Sequence, residues 1–433
     1  MKPTAISRIL NDAHPTFFSA YCIVASFGTY SCMYAFRKPF TAAEFEDQVL
    51  WGIGYKTVLV CTQVLGYTLA KFIGIKVISE MPARRRVVGI LGLIGIAEVA
   101  LLLFGVVAPP YNFVFLFING LPLGLVFGLV LSFLEGRRLT EALAAGLCCS
   151  FIISSGFVKS VGSYLIERMG VSEYWMPFLT GLVFVGPLLL FVWMLAQVPP
   201  PKTEDLEHRS ERLPMDRRDR WRFFAAYSVG LILLVTTYVL LTIMRSVRDD
   251  FAVEIWRELG EAKKPAIFTQ SETLVMFGVV AINGAAVFVR NNRRALQTAM
   301  LTILAGFFLV CLAVVGFQRG WLSGFAFMVL AGVGTYVPYF AFHTTLFERL
   351  IAVFRTNCNI GYLMYLADAF GYLGYVVVMV FRNFGVGEMD FLSFYVWLAL
   401  GMALASLVLV TASFIYFERK IAIATRPEVQ PPH

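Results

Sequence analysis

The chain is punctuated by charge into twelve apolar stretches, and their length is its strongest constraint. Their cores fall at 17–43, 51–70, 87–107, 112–134, 142–166, 175–198, 221–247, 268–289, 295–316, 321–347, 357–381 and 391–417. A helix that crosses the hydrocarbon core of a bilayer needs ~20 apolar residues. Inside lipid the backbone must satisfy its own hydrogen bonds, which a helix does within one segment. The pattern predicts an all-α integral membrane protein with twelve transmembrane helices. Composition removes the soluble alternative: 58% of the 433 residues are apolar and 15% are charged, against about 25% charge in soluble domains. It also removes disorder, which needs low hydrophobicity and high net charge.

One long polar connector interrupts the series. It begins at Pro199-Pro200-Pro201 and is dense in charge up to Arg222. The predicted organisation is a six-helix bundle at 1–198, a linker at 199–220, a second bundle at 221–420 and a tail at 421–433. With the N-terminus inside, twenty-four of the 36 Lys and Arg residues fall in cytoplasmic segments, the stretch from Lys71 to Arg86 among them. This bias, and the even number of spans, predict both termini in the cytoplasm. The short loops and the lack of a separate cleavable leader place the chain in the cytoplasmic (inner) membrane, its first apolar run a permanent helix. The formal net charge of +8 then reflects loops facing the cytoplasm, and no nucleic-acid partner is expected. The seven cysteines lie in or at the edge of apolar runs with no metal spacing, so no metal, cofactor or disulfide is expected.

Six plus six spans with a charged central loop resembles the major facilitator superfamily, in which two halves enclose a site near the membrane midplane. The loop after span two, with Gly66, Lys71, Gly74 and Arg84-Arg85-Arg86, is similar to that superfamily's glycine-rich basic loop, with Lys71 where an aspartate is common.

An ionisable side chain inside a bilayer costs at least ~2.5–3.5 kcal/mol, so it should face a cavity or a partner. Tyr30, Tyr34, Arg37 and Thr41 in span one fall at i, i+4, i+7 and i+11, which is one helical face. Tyr238, Thr242, Arg245 and Asp249 repeat that spacing in span seven. The first helix is expected to continue past Arg37, since the next acidic run starts only at Glu44. Each arginine alone reads as a snorkelling anchor at the interface. Matching stripes in matching helices favour a functional pair. Two guanidinium forks from opposite halves suit one small oxyanion such as phosphate or carboxylate.

The run Tyr34-Ala35-Phe36-Arg37-Lys38-Pro39-Phe40 resembles the first-helix signature of the organophosphate:phosphate antiporters. Arg245 with Asp250, Tyr336-Val337-Pro338 with Glu348, and Gly371-Tyr372-Leu373-Gly374 are similar to that family's seventh, tenth and eleventh helices. The resemblance implies that Arg37 and Arg245 hold phosphate while Tyr30, Tyr34, Tyr336 and Tyr372 line the pocket, with Tyr238 on the second stripe. It also implies a salt-bridge switch in which Lys38 exchanges between Asp250 and Glu272. Phe151 stands nearest the family's fifth-helix histidine, and Lys159, two turns on, is assigned to the cavity.

The other intramembrane groups have plainer readings. Lys56 fits either the outer interface or the cavity. Glu98 reads as half of a local helix–helix pair. His343 and Asp368 are the candidates for carrying a proton. Gly120, Gly124 and Gly128 follow the spacing of close helix contacts. The function expected is secondary transport of a small organic anion, a phosphate ester or phosphate, by a monomeric carrier in the lipid bilayer. The alternatives are a proton-coupled transporter of a neutral or cationic solute using Asp368, His343 or Glu98, and a non-transporting receptor on the same fold. An enzyme is not expected: no HExxH, GxSxG, Walker A loop or Cys/His cluster occurs.

Overall fold

The computed structural model describes residues 5–46, 48–80, 83–134, 140–200, 217–261, 264–286, 289, 291–354, 360–385 and 389–424. After the short α1 (Ala5–Asp12) come α2 (Pro15–Tyr34), α3 (Tyr55–Glu80), α4 (Ala83–Val106), α5 (Phe113–Leu131), the pair α6 (Thr140–Cys148) and α7 (Ser150–Met169), and α8 (Met176–Ala196). Beyond the connector lie α9 (Arg217–Asp250), the short α10 (Ala252–Glu258), α11 (Ala266–Ala286), α12 (Asn292–Gln318), the pair α13 (Gly324–Ala341) and α14 (Phe347–Phe354), α15 (Ile360–Gly385) and α16 (Phe391–Ala424). Six membrane-length segments thus stand on each side of the connector. Ten are long and apolar enough to cross a membrane among the described residues. The other two membrane-length helices, α2 and α15, both line the cavity described below.

The strands β1 (Val49–Leu50) and β2 (Ile53–Gly54) form one antiparallel hairpin. Trp51 and Gly52 both have positive φ, 56° and 75°, as a two-residue hairpin turn of this hand requires. The hairpin marks one end of the molecule, called the hairpin end; the connector marks the linker end.

Two segments depart from the sequence reading. The first helix stops at Tyr34 and does not continue past Arg37. Residues 35–38 make tight turns, with the Arg37 and Lys38 N–H groups both donating to Tyr34 O, and a 3₁₀ turn, Pro39–Ala42, follows. Pro39 lacks the N–H that would bond to Ala35 O, and its ring would clash with that carbonyl, so a regular helix cannot run through it. Span two, by contrast, runs to Glu80, so Lys71 is inside a helix and not in a loop. The charge at Lys71 reads as punctuation, yet apolar residues resume after it.

Close backbone approach sets where these helices sit. A Cβ at Gly120 would lie 2.2 Å from Gln63 O, and one at Gly124 would lie 2.6 Å from the Ala70 side chain. The small residues of α5 therefore let α3 press against it and fix the height of its polar face. In α13, Pro338 removes one backbone donor, and a π turn at Phe342–Leu346 follows. Such turns recur at functional sites, and this one carries His343. The halves meet along two seams, α3 against α15 and α7 against α11.

Candidate functional site

Arg37 is held by its backbone before its side chain does anything. The carbonyls of a terminated helix lack intrahelical donors, and side-chain amides supply them here. Asn119 Nδ2 donates to Phe36 O at 2.9 Å, and Gln63 Nε2 donates to Arg37 O at 2.9 Å. Gln63 also donates to Asn119 Oδ1 at 2.7 Å, so α3 and α5 clamp the turn together. The Arg37 guanidinium then lies over the Tyr67 ring, 3.8 Å from its centroid.

Arg245 comes from α9, five residues before its end. Its guanidinium stacks over Tyr339, 4.5 Å from the ring centroid, and its Nη2 donates to the Tyr372 hydroxyl at 3.4 Å. The Tyr372 ring also lies 6.0 Å from the Arg37 guanidinium, so this tyrosine reaches both cations. Both arginines line one narrow cavity, with Tyr30, Tyr34, Tyr67, Phe127, Phe151 and Tyr339 among its walls. Neither guanidinium forms an ion pair among the described residues, and the Nε of each has no hydrogen-bond partner there. Taking a cation out of water costs several kcal/mol. A desolvated cation–π contact returns about 2 kcal/mol, and the remainder is open to a ligand.

The far pole of the cavity holds Lys71, His343 and Asp368. Lys71 Nζ lies 3.3 Å from Asp368 Oδ2 across the α3–α15 seam. The Tyr238 hydroxyl donates to Asp368 Oδ1. His343 Nδ1 lies 2.9 Å from Tyr339 O, and its Nε2 lies 3.5 Å from the Tyr238 hydroxyl. Along α15, Asp368 and Tyr372 are separated by about 6 Å.

Nearer the hairpin end, charge is organised differently. Lys38 pairs with Asp249 at 2.7 Å and with Asp250. Lys159 pairs with Asp249 at 2.6 Å and donates to its carbonyl as well. Lys56 pairs with Glu254 at 2.7 Å, and Arg248 pairs with Glu272 at 2.8 Å. Ser155 and Tyr375 donate to Asp249 and Asp250. Beyond this layer, outside the spans, Arg257 bridges Glu44 and Glu46. Burial pushes the Glu44 carboxyl up to about 7 against the pull of Arg257, while hydrogen bonding to Arg257 holds Glu46 below its usual range.

The residues singled out in the sequence therefore fall into three places. Arg37, Arg245, Tyr30, Tyr34, Tyr372, His343 and Asp368 line the cavity. Tyr238 stands behind Asp368, and Tyr336 packs beside Tyr339 at 6.2 Å between ring centroids, off the cavity wall. Lys159 is consumed by Asp249 in the ion-pair layer instead of lining the cavity. Glu272 pairs with Arg248, not Lys38. Lys56 is buried against Glu254, not an interface anchor. Glu98 makes no helix–helix pair: its carboxylate sits against Gly181 of α8 with no hydrogen-bond partner among the described residues. Tyr67, Lys71, Phe127 and Tyr339 line the cavity as well, outside the site motifs that the sequence offers. Gln63, Tyr67 and Lys71 at i, i+4 and i+8, and Tyr336, Tyr339 and His343 at i, i+3 and i+7, are the stripes that carried this information. No group of three or more His, Cys, Asp or Glu placed to hold a metal occurs among the described residues.

Solved structures share this architecture. A D-xylose–proton symporter aligns with a TM-score of 0.59 at 15% identity, over 92% of this chain and 97% of its own. A point mutant of the nucleoside transporter NupG aligns at 0.58 and 12%, over 92% and 99%. A bacterial homologue of the human lysosomal transporter Spinster, inward-facing and unoccupied, aligns at 0.60 and 12%, over 96% and 100%. The fold is that of the major facilitator superfamily, and the protein is a multi-pass membrane protein. The sequence matches a family of unknown function, DUF5690, over residues 39–420, and the chain belongs to it. No curated protein is significantly similar in sequence.

Proposed function

We propose that the protein is a secondary transporter of a small organic anion, a phosphate ester or phosphate itself, bound between Arg37 and Arg245. The observation that carries this reading is the pairing of two buried guanidiniums, one from each six-helix set, on one cavity, with no ion pair to either among the described residues. Guanidinium stays charged and presents a planar fork that matches phosphate or carboxylate oxygens. An anion held by both forks removes their mutual repulsion and draws the halves together around it. The neighbouring structures, a sugar symporter and a nucleoside transporter among them, support a transport role for the fold.

In this reading the bundles 1–198 and 221–420 rock about the cavity as a monomer. The ion-pair layer closes the hairpin end in one state and parts in the other, with Lys38, Asp249 and Asp250 as its centre. Both termini face the cytoplasm of an inner membrane. The test is uptake of labelled phosphate, sugar phosphates and dicarboxylates into liposomes that contain the purified protein and are preloaded with phosphate. Saturable uptake that is lost in Arg37→Ala and in Arg245→Ala is expected. Uptake unchanged in both variants would remove the two-arginine site.

A further inference from the structure

We propose that Asp368 takes up one proton each time the cavity takes up an anion, which makes the protein an anion–proton symporter. The inference rests on the anion reading above and adds the coupling ion to it. Among the described residues, Lys71 is the one cation in ion-pair contact with Asp368, at 3.3 Å across the α3–α15 seam. Lys71 also faces the cavity, and its ammonium lies 5.1 Å from the centroid of the Tyr67 ring that carries Arg37 on it. An anion gripped by Arg37 is therefore one ring away from Lys71. An anion there competes with Asp368 for the ammonium.

When the anion draws Lys71 away, Asp368 is left as a buried carboxylate without its counter-ion, facing a second negative charge. A buried ion that loses its partner neutralises itself, and a like charge nearby acts in the same direction. The proton moves from water onto a carboxylate oxygen of Asp368 and leaves again when the anion departs and Lys71 returns. No other bond changes. The groups facing Asp368 are Lys71 and Tyr67 from α3, Tyr238 from α9, Tyr339 from α13, His343 from the π turn and Cys148 from α6, with Arg245 and Tyr372 on the same cavity. Tyr238 already donates to Asp368. His343 already has partners for a neutral ring: Nδ1 donates to Tyr339 O, and Nε2 faces the Tyr238 hydroxyl. A second proton there would add a cation beside Arg245 and Lys71. Asp368 is thus the acceptor.

The experiment counts protons. Inorganic phosphate is titrated into the purified full-length protein at pH 8 in weak buffer with an indicator dye, and phosphate affinity is measured across pH 6.5–8.5. Proton uptake by phosphate itself is common to all variants and cancels in the difference. Wild type is expected to take up about one more proton per bound phosphate than Asp368→Asn. Its affinity should fall by up to tenfold more per pH unit than that of Asp368→Asn, since one linked proton is a factor of ten per unit. Lys71→Gln should also lose the extra proton, because it removes the ion pair that the anion has to break. His343→Gln and Asp368→Glu should keep it. Should Asp368→Asn fail to fold, the comparison of wild type with Lys71→Gln decides the matter. Equal proton counts in wild type and both neutralised variants would overturn the coupling and leave the anion site standing. Absence of phosphate binding to wild type would overturn the anion reading, and this inference with it.

Discussion

The cavity and the layer above it are built from the same helices but treat charge in opposite ways. In the layer, four cations (Lys38, Lys56, Lys159 and Arg248) meet four acids (Asp249, Asp250, Glu254 and Glu272), and every one has a partner within ion-pair distance. Among the described residues lining the cavity, Arg37, Arg245 and Lys71 are the cations beside His343, and Asp368 is the one acid. A balanced buried layer holds two surfaces in register. In the proposed function, a bound anion supplies the charge that the cavity lacks. The adjacent residues Arg37 and Lys38 fall on opposite sides of this divide because the chain turns between them.

The largest effect should separate the two regions by stability. Asp249→Ala leaves Lys159 without its acid and weakens the hold on Lys38, and breaking a buried pair costs about 3–5 kcal/mol. Arg37→Ala removes a buried cation that has no acid, so thermal unfolding should show little loss or a gain. Equal destabilisation by the two variants would erase the distinction.

Ligand affinity should reverse the order. A hydrogen bond to a charged group contributes about 1.5–3 kcal/mol, so Arg37→Ala and Arg245→Ala should each weaken phosphate or phosphate-ester binding roughly ten- to 150-fold. Arg→Lys at either site should restore only part of it, since a point charge does not replace the fork. Equilibrium binding to purified protein measures both.

Gln63→Leu tests whether the backbone of Arg37 matters. It leaves a buried carbonyl short of a donor, which costs about 1–3 kcal/mol, and it frees the turn that aims the guanidinium. Affinity should fall several-fold with Arg37 itself intact. Affinity equal to wild type would show that the amide clamp is irrelevant to the site.

The smallest effect is expected at Glu44, which is half-exposed and screened by solvent, at less than ~1 kcal/mol. With the hairpin end closed, its carboxyl holds a proton up to about 7; freed into water it would release it near 4.5. The closed state binds the extra proton, so closure strengthens as pH falls from 7 towards 4.5 and weakens as pH rises through 7. Amide-exchange protection around residues 44–46 should therefore rise between pH 7.5 and 5.5. Glu44→Gln should flatten the profile, and a wild-type profile already flat would remove the effect.

The helices were legible because membrane-spanning length is set by bilayer thickness and leaves a plain apolar signal. Arg37 and Arg245 were legible because an intramembrane cation is costly enough to need a reason. Lys71 was hidden for a related cause: at the end of an apolar run, a charge reads as a boundary. Only the continuation of α3 to Glu80 shows that it is inside. The fates of Lys159 and Glu272 depended on which acid lies across a seam between segments far apart in sequence, and helical spacing carries no information about that. The break after Tyr34 could have been drawn from Pro39. That Gln63 and Asn119 would cap it required knowing how close α3 and α5 come.

The central claim is that one anion touches both arginines at once, and a double-mutant cycle on phosphate affinity tests it most directly. Wild type, Arg37→Gln, Arg245→Gln and the double variant are compared by equilibrium binding in detergent. A shared ligand predicts strong coupling, with the double variant little weaker than either single one. Losses that simply add, or single variants that bind as wild type does, would contradict it.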